Sequence, residues 1–176
     1  LRNTVPGVPD TFQGCETWNL SFVDPDNRRP VDFRRLSKDL DKMIRASAAD
    51  PRSHLNALRN KAEDGRIKQW ISHLTLQERA AHPELFLKGS YIPLRVTGRF
   101  RNHVLAFCRS YRDEHLIVAV PLHTASMPEG QDWKDTRIRL PELVPFTWEH
   151  RITRESITGN GYLRVREIFQ DAPFAI

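Results

Sequence analysis

Cysteine, glycine-rich loops and long apolar runs are scarce in this sequence, and each scarcity removes a class of protein. Cys15 and Cys108 are the only two cysteines in 176 residues. They lie far apart with no metal-ligand spacing, so a reduced, cytoplasmic protein is expected. No apolar run approaches the roughly 20 residues of a membrane span, and no membrane partner is expected. The seven histidines, at positions 54, 73, 82, 103, 115, 123 and 150, form no His-x-x-x-His or Cys/His cluster. Neither a metal nor any other cofactor is therefore expected. No glycine-rich phosphate loop occurs, and Gly159-Asn160-Gly161 reads as a turn between strands. The net charge of +5 invites a nucleic-acid partner, but the 21 Arg and 6 Lys are spread along the chain among 22 acids, with no basic run longer than two. A nucleic-acid surface concentrates its positive charge, so that partner is not expected. The sequence opens at Leu1 without a start methionine or a signal-like apolar core, which reads as a C-terminal piece of a longer protein.

What is present is concentrated near the start. Pro6 and Pro9 fix φ and remove donors, and Gly7 permits a turn, so residues 5–10 form a rigid, non-helical entry. Thr11-Phe12-Gln13 is then a candidate short strand, ended by Gly14. Glu16, Trp18, Asp24, Asp26, Asn27, Arg28, Arg29 and Asp32 follow within twenty residues. Carboxylates accept paired hydrogen bonds from neighbouring hydroxyls, Arg donates a fixed fork of them, and Trp18 offers an apolar ring face: together, the chemistry of a sugar site. Asp24-Pro25-Asp26-Asn27 equally has the composition of a turn that bonds its own backbone.

From Asp32 the periodicity becomes helical. Asp32 is an N-cap for a helix whose apolar stripe is Phe33, Leu36, Leu40, Met43 and Ile44, with Arg34, Arg35, Lys38, Asp39 and Lys42 opposite. Asp50-Pro51 opens a second helix through Leu55, Leu58 and Ala62, closed by Gly65. A third starts at Arg66, buries Ile67, Trp70, Ile71 and Leu74, and stops at Pro83 near His82. Trp70 lies on the apolar stripe and reads as core. After Gly89 the pattern alternates: strands are expected at 91–96, 104–111 and 116–120, with Arg112-Asp113-Glu114 turning the last two into a hairpin. Residues 121–135, with Pro128 and Gly130, read as a long loop, followed by strands at 137–140, 146–152 and 162–169 and a short last one at 173–176.

Four motifs, in order, carry a resemblance over residues 5–95. Pro6-Gly7-Val8-Pro9-Asp10-x-Phe12-Gln13-Gly14-x-Glu16-x-Trp18 resembles the segment around the last barrel strand of the α-amylase superfamily. Asp24 to Phe33, Asp64-Gly65-Arg66-Ile67-Lys68, and His82-Pro83-Glu84-Leu85-Phe86 with Gly89-Ser90-Tyr91 are similar to maltooligosyl trehalose synthases within it. The resemblance implies a retaining glucosyl mutase on a (β/α)8 barrel, which turns the reducing-end α-1,4 linkage of a maltooligosaccharide into an α,α-1,1 linkage. Its Asp nucleophile, Glu acid/base and second Asp would sit on strands before this sequence, so no catalytic residue is expected here. A barrel typically needs about 250 residues, more than this chain holds.

The expected fold is therefore α+β: residues 1–31 the end of a barrel (last strand and following loop), 32–88 a helical section, and 89–176 an antiparallel β-sandwich. Deprived of barrel neighbours, residues 1–31 are expected to be irregular or to dock on the helices. The partners expected are a maltooligosaccharide and the missing barrel. Residues just past a barrel strand's C-terminal end face the active site, which makes Gln13, Glu16, Asp24, Asp26, Asn27, Arg28 and Arg29 the candidates for sugar contact. Arg28 and Arg29 have a second possible role, pairing with Asp24 or Asp26 to pin the loop. The alternative function is a noncatalytic carbohydrate-binding or scaffold module, with Trp133 or Trp148 stacking on sugar at a sandwich edge.

Overall fold

The computed structural model describes residues 1–127, 132–142, 144–172 and 175–176, and the backbone alone of Asp26 and Asn27. Its helices form where local capping chemistry specifies them. A one-turn helix α1 (Asp24–Asn27) precedes α2 (Phe33–Ala49), which starts where the Asp32 carboxylate accepts from the Arg35 amide at 3.0 Å. Asp50 both ends α2, donating its amide to the Ala46 carbonyl, and caps α3 (Pro51–Arg59), accepting from the Ser53 amide at 3.0 Å. The second helix is shorter than its pattern predicts. Ala62 falls in a separate 3₁₀ turn, Ala62–Asp64, before Gly65. Helix α4 (Arg66–Ala81) ends at Pro83 as expected, but the same proline opens α5 (Pro83–Leu87), because its fixed φ suits a first helical turn.

Met43, Leu58, Ile67 and Trp70 form the core of the helical section, with Leu40, Ile71 and Leu74 packed around them. Trp70 is core, its ring stacked on His73 and met edge-on by His54. Burying each large side chain contributes roughly 1.5–3 kcal/mol. Phe33 and Ile44 instead remain substantially exposed, so the predicted stripe of α2 is only half covered.

The remainder is antiparallel throughout its described strands. β1 (Ser90–Pro93), β3 (Val104–Tyr111) and β4 (Glu114–Pro121) make one sheet in the order β1-β3-β4, with the predicted hairpin turning at Arg112 and Asp113. A second sheet joins β2 (Val96–Thr97), β5 (Arg137–Arg139) and β8 (Tyr162–Arg164); a third pairs β6 (Thr147–Glu149) with β7 (Ser156–Thr158). Strand periodicity sorts the first sheet's faces. Ala106, Cys108, Ile117 and Ala119 pack with Ile138, Leu140 and Leu163 of the second sheet region, whereas Phe107, Leu116 and Val118 pack with Leu85 and Phe86 of α5.

Several expected strands change. The run 146–152 shortens to β6, β7 forms where the pattern predicts no strand, and 162–169 divides into β8 and a helical turn α6 (Val165–Ile168). Gly159 to Gly161 thus links two different sheets. In the expected loop 121–135, Thr124–Ser126 forms a 3₁₀ turn, while Pro128 and Gly130 lie outside the described residues. So do Pro173 and Phe174 of the expected last strand; Ala175 makes a single bridge to Ala119.

No strand forms at Thr11–Gln13, which corrects that expectation. A three-residue run gains strand geometry only from a ladder partner, and none adjoins it among the described residues. Residues 1–31 are irregular apart from α1, and the first seven dock on the helices, as expected. Asn3 donates to the Thr75 hydroxyl at 2.7 Å, and the Arg79 guanidinium donates to the Asn3 and Gly7 carbonyls at 3.1 and 3.0 Å.

Candidate functional site

Two of the seven candidate residues share a cleft. Gln13 and Arg29 line an open hollow of about 540 Å³ together with Trp18, Asn19, Ser21 and Val31. Arg28 is turned to Asp24, forming an i,i+4 ion pair at 2.5 Å on the exposed face of α1. Of the two open roles for Arg28, pairing is the one seen here. Glu16 is half-buried and does not line the cleft; one of its carboxylate oxygens is buried without a hydrogen-bond partner among the described residues. The side chains of Asp26 and Asn27 lie outside the described residues.

Trp18 is the hinge of this region. Its indole N–H donates to the Ala62 carbonyl at 2.6 Å, and the Lys68 ammonium sits 5.4 Å from its ring centroid while donating to the Thr17 carbonyl at 2.9 Å. Gly65 makes that approach possible. It adopts φ +79°, and a Cβ there would lie 2.6 Å from the Trp18 amide nitrogen and 2.8 Å from the Thr17 Cβ. Trp18 also borders a second hollow, against Leu1, Asn3, Ile67 and Ile71. The Gln13–Arg29 cleft thus offers an amide, a guanidinium and an aromatic ring, which suit hydroxyl binding. None of its described lining residues is a carboxylate, so among the described residues the two-carboxylate arrangement of a glycosyl-transfer centre is not formed there.

A second site was not legible in the sequence. A cavity of about 340 Å³ opens between α4, the β3–β4 turn and β6, floored by Leu116, Ile157, Leu163 and Ile168, with Trp148 in its wall. Arg151 organises its rim, donating to Glu78 on α4 at 2.7 Å and to Glu149 on β6 at 2.9 Å. Burial opposes the Arg151 charge, but the hydrogen bonds and attraction of Glu78 and Glu149 outweigh it and raise its pKa. His82 meets Glu114 at 3.1 Å on the same rim. His150 is buried, which lowers its pKa against the opposing pull of hydrogen bonding and of Glu155 and Asp171. The only local signals were the aromatic Trp148 and the i,i+4 spacing of Glu78 and His82. Trp133, the other expected sugar platform, is half-buried edge-on to Phe169 at 5.1 Å. Among the described residues no group of three or more His, Cys, Asp or Glu is placed to hold a metal ion.

No protein-family model matches the chain. A protein named "Putative maltooligosyl trehalose synthase" from Mycobacterium tuberculosis, strain H37Rv, is 34% identical over a 178-residue alignment that covers all of this chain and 19% of the relative. Its counterpart in strain CDC 1551 matches equally. In fold, the chain is similar to maltooligosyltrehalose synthase from Arthrobacter ramosus, with a TM-score of 0.76 and 30% identity over 98% of this chain and 20% of that one. Another solved maltooligosyl trehalose synthase shares the fold, with a TM-score of 0.63 and 24% identity over 92% of this chain and 19% of that one. In sequence over its whole length and in fold over 98% of it, the chain is similar to proteins named maltooligosyl trehalose synthase, of which it spans about one fifth.

Proposed function

We propose that this chain serves as the C-terminal, supporting part of a maltooligosyl trehalose synthase, an enzyme that isomerises the reducing-end α-1,4 linkage of maltooligosaccharides to an α,α-1,1 linkage. The observation that carries the reading is the full-length match, at 34% identity, to a fifth of proteins bearing that name. The surface agrees with it. Val8, Leu20 and Phe22 are 90%, 94% and 96% exposed, and Leu1, Phe12, Trp18, Val23 and Phe33 are about half exposed, all within the first 33 residues. Exposed apolar side chains gathered in one segment support a reading in which another part of the protein covers that segment. In our reading its cover is the catalytic barrel of the same protein, with residues 1–31 the barrel's end, residues 32–88 the helical section and residues 89–176 a sandwich-like β domain beside it. The nucleophile and the acid/base belong to that barrel, and the isolated chain is inactive. Gln13, Glu16, Asp24, Asp26, Asn27, Arg28 and Arg29 then approach the sugar. Cys15 and Cys108 are both free, in keeping with a cytoplasmic setting, and among the described residues no helix is long and apolar enough to cross a membrane.

The test is a fusion in which this chain replaces the matching section of a maltooligosyl trehalose synthase. With maltopentaose, the fusion is expected to consume reducing ends and the 176-residue chain to leave them untouched. A folded fusion without activity, or consumption by the chain alone, refutes the reading.

A further inference from the structure

We propose that the cavity at Arg151 and Trp148 binds glucosyl units of an α-glucan, as a second sugar site apart from the Gln13–Arg29 cleft. The choice of glucan rests on the synthase reading above. The cavity's volume, about 340 Å³, falls within the roughly 300–1,000 Å³ of small-molecule pockets. Its two halves differ in chemistry. The floor is apolar, and the Trp148 indole in the wall is the kind of surface against which the C–H face of a pyranose ring packs. The rim is a polar network: Arg151 holds Glu78 and Glu149, His82 meets Glu114, and Asp113 stands beside them.

That pairing decides the ligand class. An anion would compete with two carboxylates for Arg151, and a cation would compete with Arg151 for the carboxylates. A neutral hydroxyl donates and accepts at once, so it adds to the network without breaking it. Carboxylates retain lone pairs after one bond, and a guanidinium has five N–H donors to share. The same three residues, Glu78, Glu149 and Arg151, also line an adjoining hollow of about 590 Å³ beside Trp70 and His73. The network therefore stands where two cavities meet, and an oligosaccharide can continue past it. Two atoms of the first cavity's residues, His115 Nδ1 and Trp148 Nε1, are buried with no hydrogen-bond partner among the described residues. Buried polar atoms rarely stay unpaired, and a small side-chain movement toward a bound hydroxyl would satisfy them.

The chain's four tryptophans make the test direct. In the ¹⁵N-labelled 176-residue protein, titration with maltotriose is expected to shift the Trp148 indole signal, assigned through Trp148→Phe, along a saturable curve. Arg151→Gln removes the charge-assisted donor and is expected to weaken binding about tenfold or more. Glu149→Gln, on a more exposed side chain, gives the same test if the first variant fails to fold. No saturable Trp148 response, an unchanged affinity in both variants, or a response to tetramethylammonium in place of maltotriose overturns the proposal. Failure of the synthase reading shows separately: an inactive fusion with a Trp148 response removes that reading and keeps the glucan site, whereas an active fusion without the response removes only this site.

Discussion

Arg109 is the perturbation from which most should follow. It is 1% exposed, and among the described residues no carboxylate bonds it. Its Nη2 donates to the carbonyls of Leu85, Phe86 and Gly89 at 3.1, 3.0 and 2.9 Å, and its Nη1 to that of Thr4 at 3.4 Å. One guanidinium thus closes the C-terminal end of α5, where carbonyls carry partial negative charge, and ties the N-terminal segment to β3. Burial, and then the nearby Arg79 charge, lower its pKa, so the charge itself opposes folding. Arg109→Met removes that cost but strands the carbonyls. If two of the four find no new partner, at about 1–3 kcal/mol each, the loss is about 2–6 kcal/mol. Relief of the buried charge returns part of it, leaving a net destabilisation of about 1–4 kcal/mol. At roughly 2–4 °C per kcal/mol for a chain of this size, Tm should fall by about 2–16 °C. Arg109→Lys, which keeps the charge but loses the planar fork, should recover less than half of the loss. Calorimetry and urea unfolding measure both, and limited proteolysis should show the first ten residues released. A loss below about 1 kcal/mol in Arg109→Met, with those residues still protected, would mean that the carbonyls have other partners and that Arg109 does not hold the segment.

Other outcomes follow from single sites. Gly65→Ala places a Cβ against Trp18 at positive φ and should cost about 1–3 kcal/mol, with a red shift of tryptophan emission as Trp18 leaves Ala62. Stability should fall between pH 7.5 and 5.5: burial lowers the folded pKa of His54, His73 and His150, so below 6.5 the unfolded chain takes up protons that the folded chain refuses. Each contributes at most about 1.4 kcal/mol per pH unit. His150→Gln should flatten the urea-midpoint profile. The lowered carboxylates Asp64, Glu84 and Asp132 do not enter that window, because their contribution is lost only at pH values below their ordinary range. Burial pushes the Cys108 thiol up to about 11, so native alkylation at pH 8 should modify Cys15 alone, read by mass spectrometry. In the active fusion, Arg28→Ala and Arg29→Ala should each lower mutase activity about tenfold or more with the fold retained, since the exposed Arg28–Asp24 pair is worth only about 0.2–1 kcal/mol to stability. Near-normal kinetics in both would remove these arginines from the sugar site.

The features legible in the sequence were those whose cause is local. Asp32 and Asp50 cap helices because a carboxylate three residues before a free amide satisfies it whatever lies elsewhere. The β3–β4 hairpin is legible for the same reason, since the short polar stretch Arg112-Asp113-Glu114 separates the runs 104–111 and 116–120. Where the outcome depended on distant neighbours, local reading failed. Thr11-Phe12-Gln13 has strand composition but no ladder to join among the described residues, and Val165–Ile168 is β-branched at both ends yet turns helical while Val165 and Ile168 enter the core. The sites divide in the same way. Gln13 and Arg29 could be nominated because they belong to one dense segment, and they do share a cleft. Arg151 could not, since its partner Glu78 lies 73 residues away on another element. A charged side chain in a turn gives no sign that it will be paired across a cavity, and only the approach of Glu78 on α4 to the turn after β6 makes Arg151 the centre of a site.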